Sequence, residues 1–221
     1  MPKIVDPEQR RQAIADALFD VLRQGGLSKV TLAAVADRAD LAIGSVRHFL
    51  GTREEMIGFA FDVISDRFRD RVVASAQDLR AALDDGRLDA EARLQATADL
   101  LCEFLPLDEA RRNEAVVWIE FETAARTDPQ LGRTSRRAGA QTTLLLQTIL
   151  DSIQGREGIG TAVDLAVETA RLAALLDGLT IRCVLHPELL GPEVARRAVV
   201  AHLRELRDGA GRGSDTEVSD G

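Results

Sequence analysis

The most reactive side chains in this sequence are three histidines and two cysteines. His48, His186 and His202 could act as bases or metal ligands, and Cys102 and Cys183 could act as nucleophiles or ligands. No carboxylate or cysteine pattern accompanies any of these histidines, and the two cysteines lie far apart in the chain. The sequence therefore predicts no enzyme active site, no metal site, no cofactor and no disulfide, and buried free thiols are the simpler interpretation.

Contact with DNA is the chemistry that residues 30–50 could perform. Thr31 is a good N-cap for a short helix, and Asp40 tolerates the turn conformation that would lead into a second one. The second helix opens with three small residues, Ala42, Gly44 and Ser45. Small residues let the backbone and its side chains approach phosphates and base edges. This is a helix-turn-helix pattern, whose second helix enters the major groove of DNA.

Two further helices are needed to hold this motif. Apolar residues recur at helical spacing from Ile14 to Leu22, and the pair Gly25-Gly26 ends that first helix. Thr52 can cap a long fourth helix, whose apolar period continues as far as Val72. Because three short helices bury too little surface to be stable alone, we expect the motif to pack against the fourth helix.

The rest of the chain predicts more helices and a strongly apolar final pair. The pattern favours an all-α fold of about nine helices, the last five at 90–105, 108–127, 131–153, 162–185 and 192–207. The final two carry more apolar surface than one chain requires, which predicts a homodimer through them. A purely internal core is the alternative. Residues 208–221 are poor in hydrophobic side chains, and they are predicted to form a disordered tail.

Charge and composition divide the chain in the same place. Residues 1–53 carry eight basic and six acidic side chains, although the net charge of the whole chain is −8. Because the rest of the chain is acidic, only this positively charged part would attract the phosphate backbone of DNA. We expect a helix-turn-helix DNA-binding domain at 1–53 and a larger helical domain at 54–207. No membrane span or secretory signal is evident, so we expect the protein to be cytoplasmic.

Residues 9–55 resemble the DNA-binding domain of the TetR family of bacterial transcriptional repressors. The family's motif is represented, in order, by Thr31, Val35-Ala36, Ala39 to Ala42, Gly44, Phe49 and Arg53-Glu54. The helical remainder is similar to the family's effector-binding and dimerisation domain, in particular its BetI-like branch. The resemblance implies a repressor that binds a near-palindromic operator in double-stranded DNA as a homodimer. A small-molecule effector would release it.

The resemblance also implies five DNA-facing residues: Thr31, Ser45, Arg47, His48 and Arg53. Several residues of the family's motif are replaced in this sequence. Asp40 stands in place of the turn glycine, Ala42 in place of the serine before the recognition helix, and Arg47 in place of the tyrosine that contacts phosphate. Ala42 loses a cap worth about 1 kcal/mol, whereas Arg47 can still contact a phosphate or a guanine. These departures leave open a helical dimeric adaptor that has lost specific DNA binding. Thr31 as a cap alone and His48 as a solvated side chain also stay open.

An effector pocket is implied among the helices of the second domain. The natural residues to line it are Phe61, Phe104, Trp118, Phe121 and Glu122. Plain core packing is the alternative for each aromatic ring, and a solvated position is the alternative for Glu122. Trp118 is the only tryptophan in a chain without tyrosine. Its fluorescence would therefore report occupancy of such a pocket.

Overall fold

The computed structural model describes residues 7–26, 29–86, 88–157 and 164–212. These residues form helices and no strand, which confirms the all-α fold and the expected number of helices. The nine described helices are α1 (Pro7–Gly25), α2 (Leu32–Arg38), α3 (Ile43–Phe49), α4 (Arg53–Asp84), α5 (Ala90–Cys102), α6 (Glu109–Ala125), α7 (Pro129–Glu157), α8 (Leu165–Leu185) and α9 (Pro192–Arg212).

Local hydrogen bonds explain where two helices differ from the predicted boundaries. α5 ends at Cys102 instead of 105, because the next three amides donate to carbonyls three residues back, as in a tight final turn. α8 begins at Leu165 instead of 162, because the Asp164 carboxylate accepts hydrogen bonds from the first amides of the helix. α9 continues to Arg212, and residues 213–221 of the predicted tail lie outside the described residues.

The chain forms two compact units that do not follow a single cut in the sequence. Of the described residues, the first unit contains 7–26, 29–67 and 113–135, and the second contains 68–86, 88–112, 136–157 and 164–212. The first unit therefore includes the start of α4 and most of α6 in addition to the helix-turn-helix. α4, α6 and α7 each contribute residues to both units.

The first unit is held together by an apolar centre and by two arginines stacked on phenylalanine rings. Ile14 and Leu18 of α1 are buried. The guanidinium of Arg67 on α4 lies 4.8 Å from the ring centre of Phe19, and the same group forms an ion pair with Asp16 at 3.2 Å. Arg11 lies over the ring of Phe59 in a similar way, at 5.0 Å. These contacts fasten α1 to α4, as the small size of the three-helix motif leads one to expect.

The second unit buries a continuous apolar core drawn from α4, α5, α7, α8 and α9. Arg112 donates hydrogen bonds to the carbonyl of Cys183 at 2.6 Å and to that of Val184 at 3.0 Å. Carbonyls at a helix C-terminus lack partners within the helix, so this guanidinium satisfies the end of α8. Cys102 and Cys183 are free thiols, and burial raises the pKa of both. None of the described helices is long and apolar enough to cross a membrane.

His202 is a buried histidine of the second unit. Its imidazole on α9 is 8% exposed, and its Nε2 has no hydrogen-bond partner among the described residues. Burial lowers the pKa of His202. The nearby charges oppose one another, because Glu168 and Glu205 raise the pKa of the imidazole while Arg171 lowers it. Burial is the largest of these influences, so the folded protein prefers a neutral imidazole.

We expect the stability of the second unit to fall when the pH is lowered from 7.5 to 5. The pKa of His202 is lower in the folded chain than in the unfolded chain, so below about pH 6.5 the unfolded chain binds the proton more readily. Denaturant unfolding at several pH values would measure this. In His202→Leu the fall should be smaller, and His186→Gln removes an exposed imidazole as a matched control. An unchanged pH dependence in His202→Leu would contradict this assignment.

Candidate DNA interface and ligand region

α2 and α3 form a helix-turn-helix whose turn contains one residue in the left-handed backbone conformation. The backbone of Asp40 has a φ of +53°, the conformation that a short polar side chain tolerates best after glycine. The turn is closed by the amide of Leu41, which donates to the carbonyl of Ala36 at 2.9 Å. Val35 and Val46 are fully buried. The angle between the two helices is therefore fixed by the turn and by packing.

The outer face of α3 presents polar and small residues to solvent, together with the apolar Ile43. Arg47 and His48 are exposed, Ser45 is half-buried, and Gly44 leaves open space around its α-carbon. α3 has seven residues, and its N-cap residue Ala42 makes no side-chain hydrogen bond to the helix. Three of the five predicted DNA-facing residues thus share one short helix whose inner face is anchored.

The other two predicted DNA-facing residues lie at the starts of α2 and α4. The Thr31 hydroxyl accepts a hydrogen bond from the amide of Ala34 at 3.1 Å, so it caps α2 as predicted and keeps its own proton for another partner. Arg53 is the first residue of α4, and its side chain lies outside the described part of the chain.

The start of α4 is fixed by a reciprocal cap. The Thr52 hydroxyl accepts from the amide of Glu55 at 3.1 Å, and the Glu55 carboxylate accepts from the amides of Thr52 at 2.8 Å and Gly51 at 2.6 Å. This is a capping box. The sequence predicted the Thr52 half of it and not the Glu55 half. The capping box fixes the backbone of the first turn of α4, to which Arg53 belongs.

The predicted effector residues do not form one cluster. Phe61 and Phe121 stack face to face in the first unit, with ring centres 3.7 Å apart and planes 11° from parallel, and both rings are buried. Phe104 belongs to the second unit and packs edge to face with Phe68, with the two ring centres 4.8 Å apart. Glu122 accepts a hydrogen bond from the Ser135 hydroxyl at 2.8 Å.

Trp118 differs from the phenylalanines in its surroundings. The six phenylalanine side chains that the structure describes each contact another ring or an arginine. Trp118 on α6 is half-buried, and among the described aromatic side chains it is the one without such a partner. It is therefore the candidate with a ring surface still available to a ligand.

A small cavity lies in the first unit between α1, α4 and α6. Its volume is about 10 Å³, which is roughly the space that one water molecule requires. Its lining is apolar apart from one carboxylate and consists of Leu18, Leu22, Val30, Met56, Ile57, Ala60, Val117 and Glu120. A small-molecule effector would have to enlarge such a space before occupying it.

One face of α8 remains exposed in the single chain and consists mainly of apolar and small side chains. It also carries the exposed Arg171, which forms an ion pair with Glu168. Val167, Ile181 and Leu185 are 51%, 39% and 56% exposed, and Ala174 is exposed between them. A Cβ added to Gly178 would meet no atom within 4 Å. The spacing of these five residues places them on one side of the helix, and we call this side the α8 exposed face. The opposite side is buried and includes Leu172, Leu176, Leu179 and Cys183.

The apolar stripe of α9 is covered within the chain itself. Leu203 is 3% exposed and Val199 is fully buried, and both belong to the core of the second unit. Val194, at the start of α9, is the large apolar residue of this helix that stays exposed. The surplus apolar surface expected on both final helices is thus found mainly on α8.

Comparison with known proteins places the chain among transcriptional regulators. Residues 90–208 match a family described as "BetI-type transcriptional repressor, C-terminal". The HTH-type transcriptional regulator PksA of Bacillus subtilis is 28% identical over 207 residues, covering 93% of this chain and 94% of PksA. A transcriptional regulator from Rhodococcus sp. Rha1 is 30% identical, with a TM-score of 0.72 over 90% of this chain and 96% of that one.

A more distant structure shares the fold and holds a ligand. A transcriptional regulator from Saccharomonospora viridis, solved in complex with choline, is 18% identical to this chain. The two structures align with a TM-score of 0.69 over 89% of this chain and 96% of that one. At this level of identity the likeness concerns the fold alone.

Proposed function

This chain belongs to the BetI-type branch of the TetR family of transcriptional regulators, and from that membership we propose that it is a ligand-responsive repressor. It would bind a near-palindromic operator in cytoplasmic DNA as a homodimer, and a small molecule would release it. The observation that carries the DNA-binding part is the Asp40 turn, which fixes α3 with Arg47 and His48 exposed on its outer face. Regulation, rather than catalysis, is the activity of this family.

Selection of DNA fragments by the purified protein would test this function. Two recognition helices related by a two-fold axis require half-sites about one helical turn, roughly 10 base pairs, apart. We therefore expect an enriched near-palindrome, with an affinity that falls linearly with salt on logarithmic axes. Equal binding to random duplex and no enriched motif would contradict the repressor and favour the alternative, a helical dimeric adaptor without specific DNA binding.

We propose that Arg47, together with Ser45, His48, Thr31 and Arg53, forms the DNA contact. Replacing Arg47 with alanine should weaken operator binding by about 30-fold or more, because a charged contact worth about 1 to 3 kcal/mol is lost in each of the two half-sites. If the partner is a phosphate, the salt slope should also decrease by about two for the homodimer.

Arg80→Ala is the matched control for Arg47→Ala. It removes one arginine from the second unit, at a side chain that is 85% exposed. Both variants should unfold at the temperature of the parent protein, because both side chains are exposed. Equal operator affinity in Arg47→Ala and the parent would remove Arg47 from the interface.

The α8 exposed face supports the proposed homodimer. Helices approach closely where side chains are small, and Ala174 and Gly178 lie between the larger apolar residues of this face. Paired with the same face of a second copy about a two-fold axis, this face would form an isologous interface. We propose that the homodimer forms through α8 and the adjoining part of α9, within the predicted segments 162–185 and 192–207.

We propose a largely apolar effector that contacts Trp118. Recognition of a quaternary ammonium requires several open aromatic faces, whereas the phenylalanine rings that the structure describes are already engaged with other rings or with arginines. Phe61, Phe121 and Glu122, which belong to the same unit as Trp118, would then shape the region around the ligand, whereas Phe104 belongs to the second unit and packs against Phe68. α4 carries residues of both units in one uninterrupted helix, so a ligand that shifts it could change the spacing of the two recognition helices.

Fluorescence of Trp118 should report this ligand without a label. A compound that releases operator DNA should shift the emission, and operator should weaken that compound's binding by the same factor, typically 5- to 150-fold. Trp118→Phe is the control, since it keeps an aromatic ring but removes the signal. Release of operator with unchanged emission, persisting in Trp118→Ala, would place the ligand elsewhere.

A further inference from the structure

Ile43 has an unusual position for a large apolar side chain. It is the first residue of α3 and is 47% exposed. Among the described residues of the first unit it is the one exposed large hydrophobic side chain, since the others lie in the second unit. Single exposed apolar residues are ordinary on protein surfaces, so the meaning of Ile43 depends on what its helix faces.

The surroundings of Ile43 suit the edge of a base rather than another protein. Arg47 lies one turn further on the same side of α3, and both it and the neighbouring His48 are polar and exposed. A Cβ added to Gly44 would meet no atom within 4 Å, so a flat surface can approach the helix closely beside Ile43. A docking protein would require a wider apolar patch than this one side chain supplies.

The major groove offers one apolar group among the hydrogen-bonding groups of the four bases. That group is the C5-methyl of thymine, and apolar side chains contact it in known complexes. We propose that Ile43 packs against the C5-methyl of one thymine in each operator half-site and so selects thymine over cytosine there. This inference rests on the proposed function, because it requires α3 to enter the major groove.

Deoxyuridine provides a direct test, because it pairs like thymidine and lacks only the methyl group. In the selected operator, each thymine would be replaced in turn by deoxyuridine, symmetrically in both half-sites. One replacement should weaken binding of the parent protein roughly 15-fold, since burial of one methyl-sized group contributes about fourfold in each of the two half-sites. Ile43→Ala should bind the thymine and deoxyuridine operators equally. Val73→Ala, at a residue 48% exposed on α4, should discriminate like the parent.

A second selection with Ile43→Gln keeps the proposal testable if Ile43→Ala binds too weakly to compare. Glutamine favours adenine through paired hydrogen bonds, so the preferred base should change at the thymine position and at no other. A parent protein insensitive to every deoxyuridine, or an unchanged motif in Ile43→Gln, would overturn the role of Ile43. Failure to select any motif would instead overturn the proposed function.

Discussion

The substitution Ile181→Glu is expected to leave each chain folded, to separate the homodimer and to abolish operator binding. Ile181 is 39% exposed in the single chain, so a carboxylate there stays in water when the chain is monomeric. In the proposed dimer the same carboxylate would be buried without a partner, at a cost of about 3 kcal/mol or more for each protomer. Each homodimer would bury two such carboxylates, so the dissociation constant should rise roughly 10⁴-fold. Sedimentation at micromolar concentration would measure this change.

Two further glutamate substitutions distinguish loss of the homodimer from loss of folding. Val73→Glu introduces the same charge at an exposed apolar residue of α4, outside the α8 exposed face, and should remain dimeric. Leu203→Glu introduces it in the buried core of the second unit and should unfold that unit. A monomeric parent protein, or an Ile181→Glu variant that stays dimeric and binds operator normally, would contradict the proposed interface.

Phe121→Ala is expected to destabilise the first unit by about 3 to 5 kcal/mol. The ring is fully buried and stacks on Phe61, so its removal leaves a cavity and an unmatched aromatic face. Denaturant unfolding would measure the change, provided that the transition of the first unit is resolved. Trp118→Ala, at a half-buried ring on the same helix, should cost less.

The two variants also distinguish core packing from ligand binding. If Phe121 mainly packs, Phe121→Ala should lower the unfolding midpoint strongly. Ligand response should then be retained at temperatures where the variant is folded. An unchanged midpoint together with a lost response would instead make Phe121 a ligand contact. The same two measurements apply to Trp118→Ala, for which we expect a smaller decrease in the unfolding midpoint and a lost ligand response.

The helix-turn-helix could be predicted from the sequence because its signals are local. A hydroxyl at Thr31 finds its amide three residues away, and the left-handed turn at Asp40 depends on the backbone preference of that residue. The glycines that follow α1 and α4 act in the same way, since Gly26 and Gly86 both have positive φ. Features of this kind need no knowledge of the distant chain.

Features that depend on distant partners could not be predicted. The period of α9 indicated that Leu203 lies on a buried face, but it could not tell whether that face is covered by the same chain or by a second copy. Likewise, the sequence leaves both pocket lining and core packing open for Phe121, and it does not reveal that Phe61 stacks on that ring. The sequence alone gives no reason to single out Ile43, since only its exposure distinguishes it from an apolar residue that packs inside.

The missing cap at Ala42 has a consequence for the motion of the recognition helix. α3 is two turns long, and no side chain bonds to its first amides, whereas isolated helices of this length are unstable in water. Its amides should therefore exchange with solvent hydrogen through local opening at a free energy well below that of global unfolding. Operator DNA would select the closed helix and slow this exchange. Ordering α3 then uses part of the binding free energy. Only operator sequences that make favourable contacts with the ordered helix are therefore bound tightly.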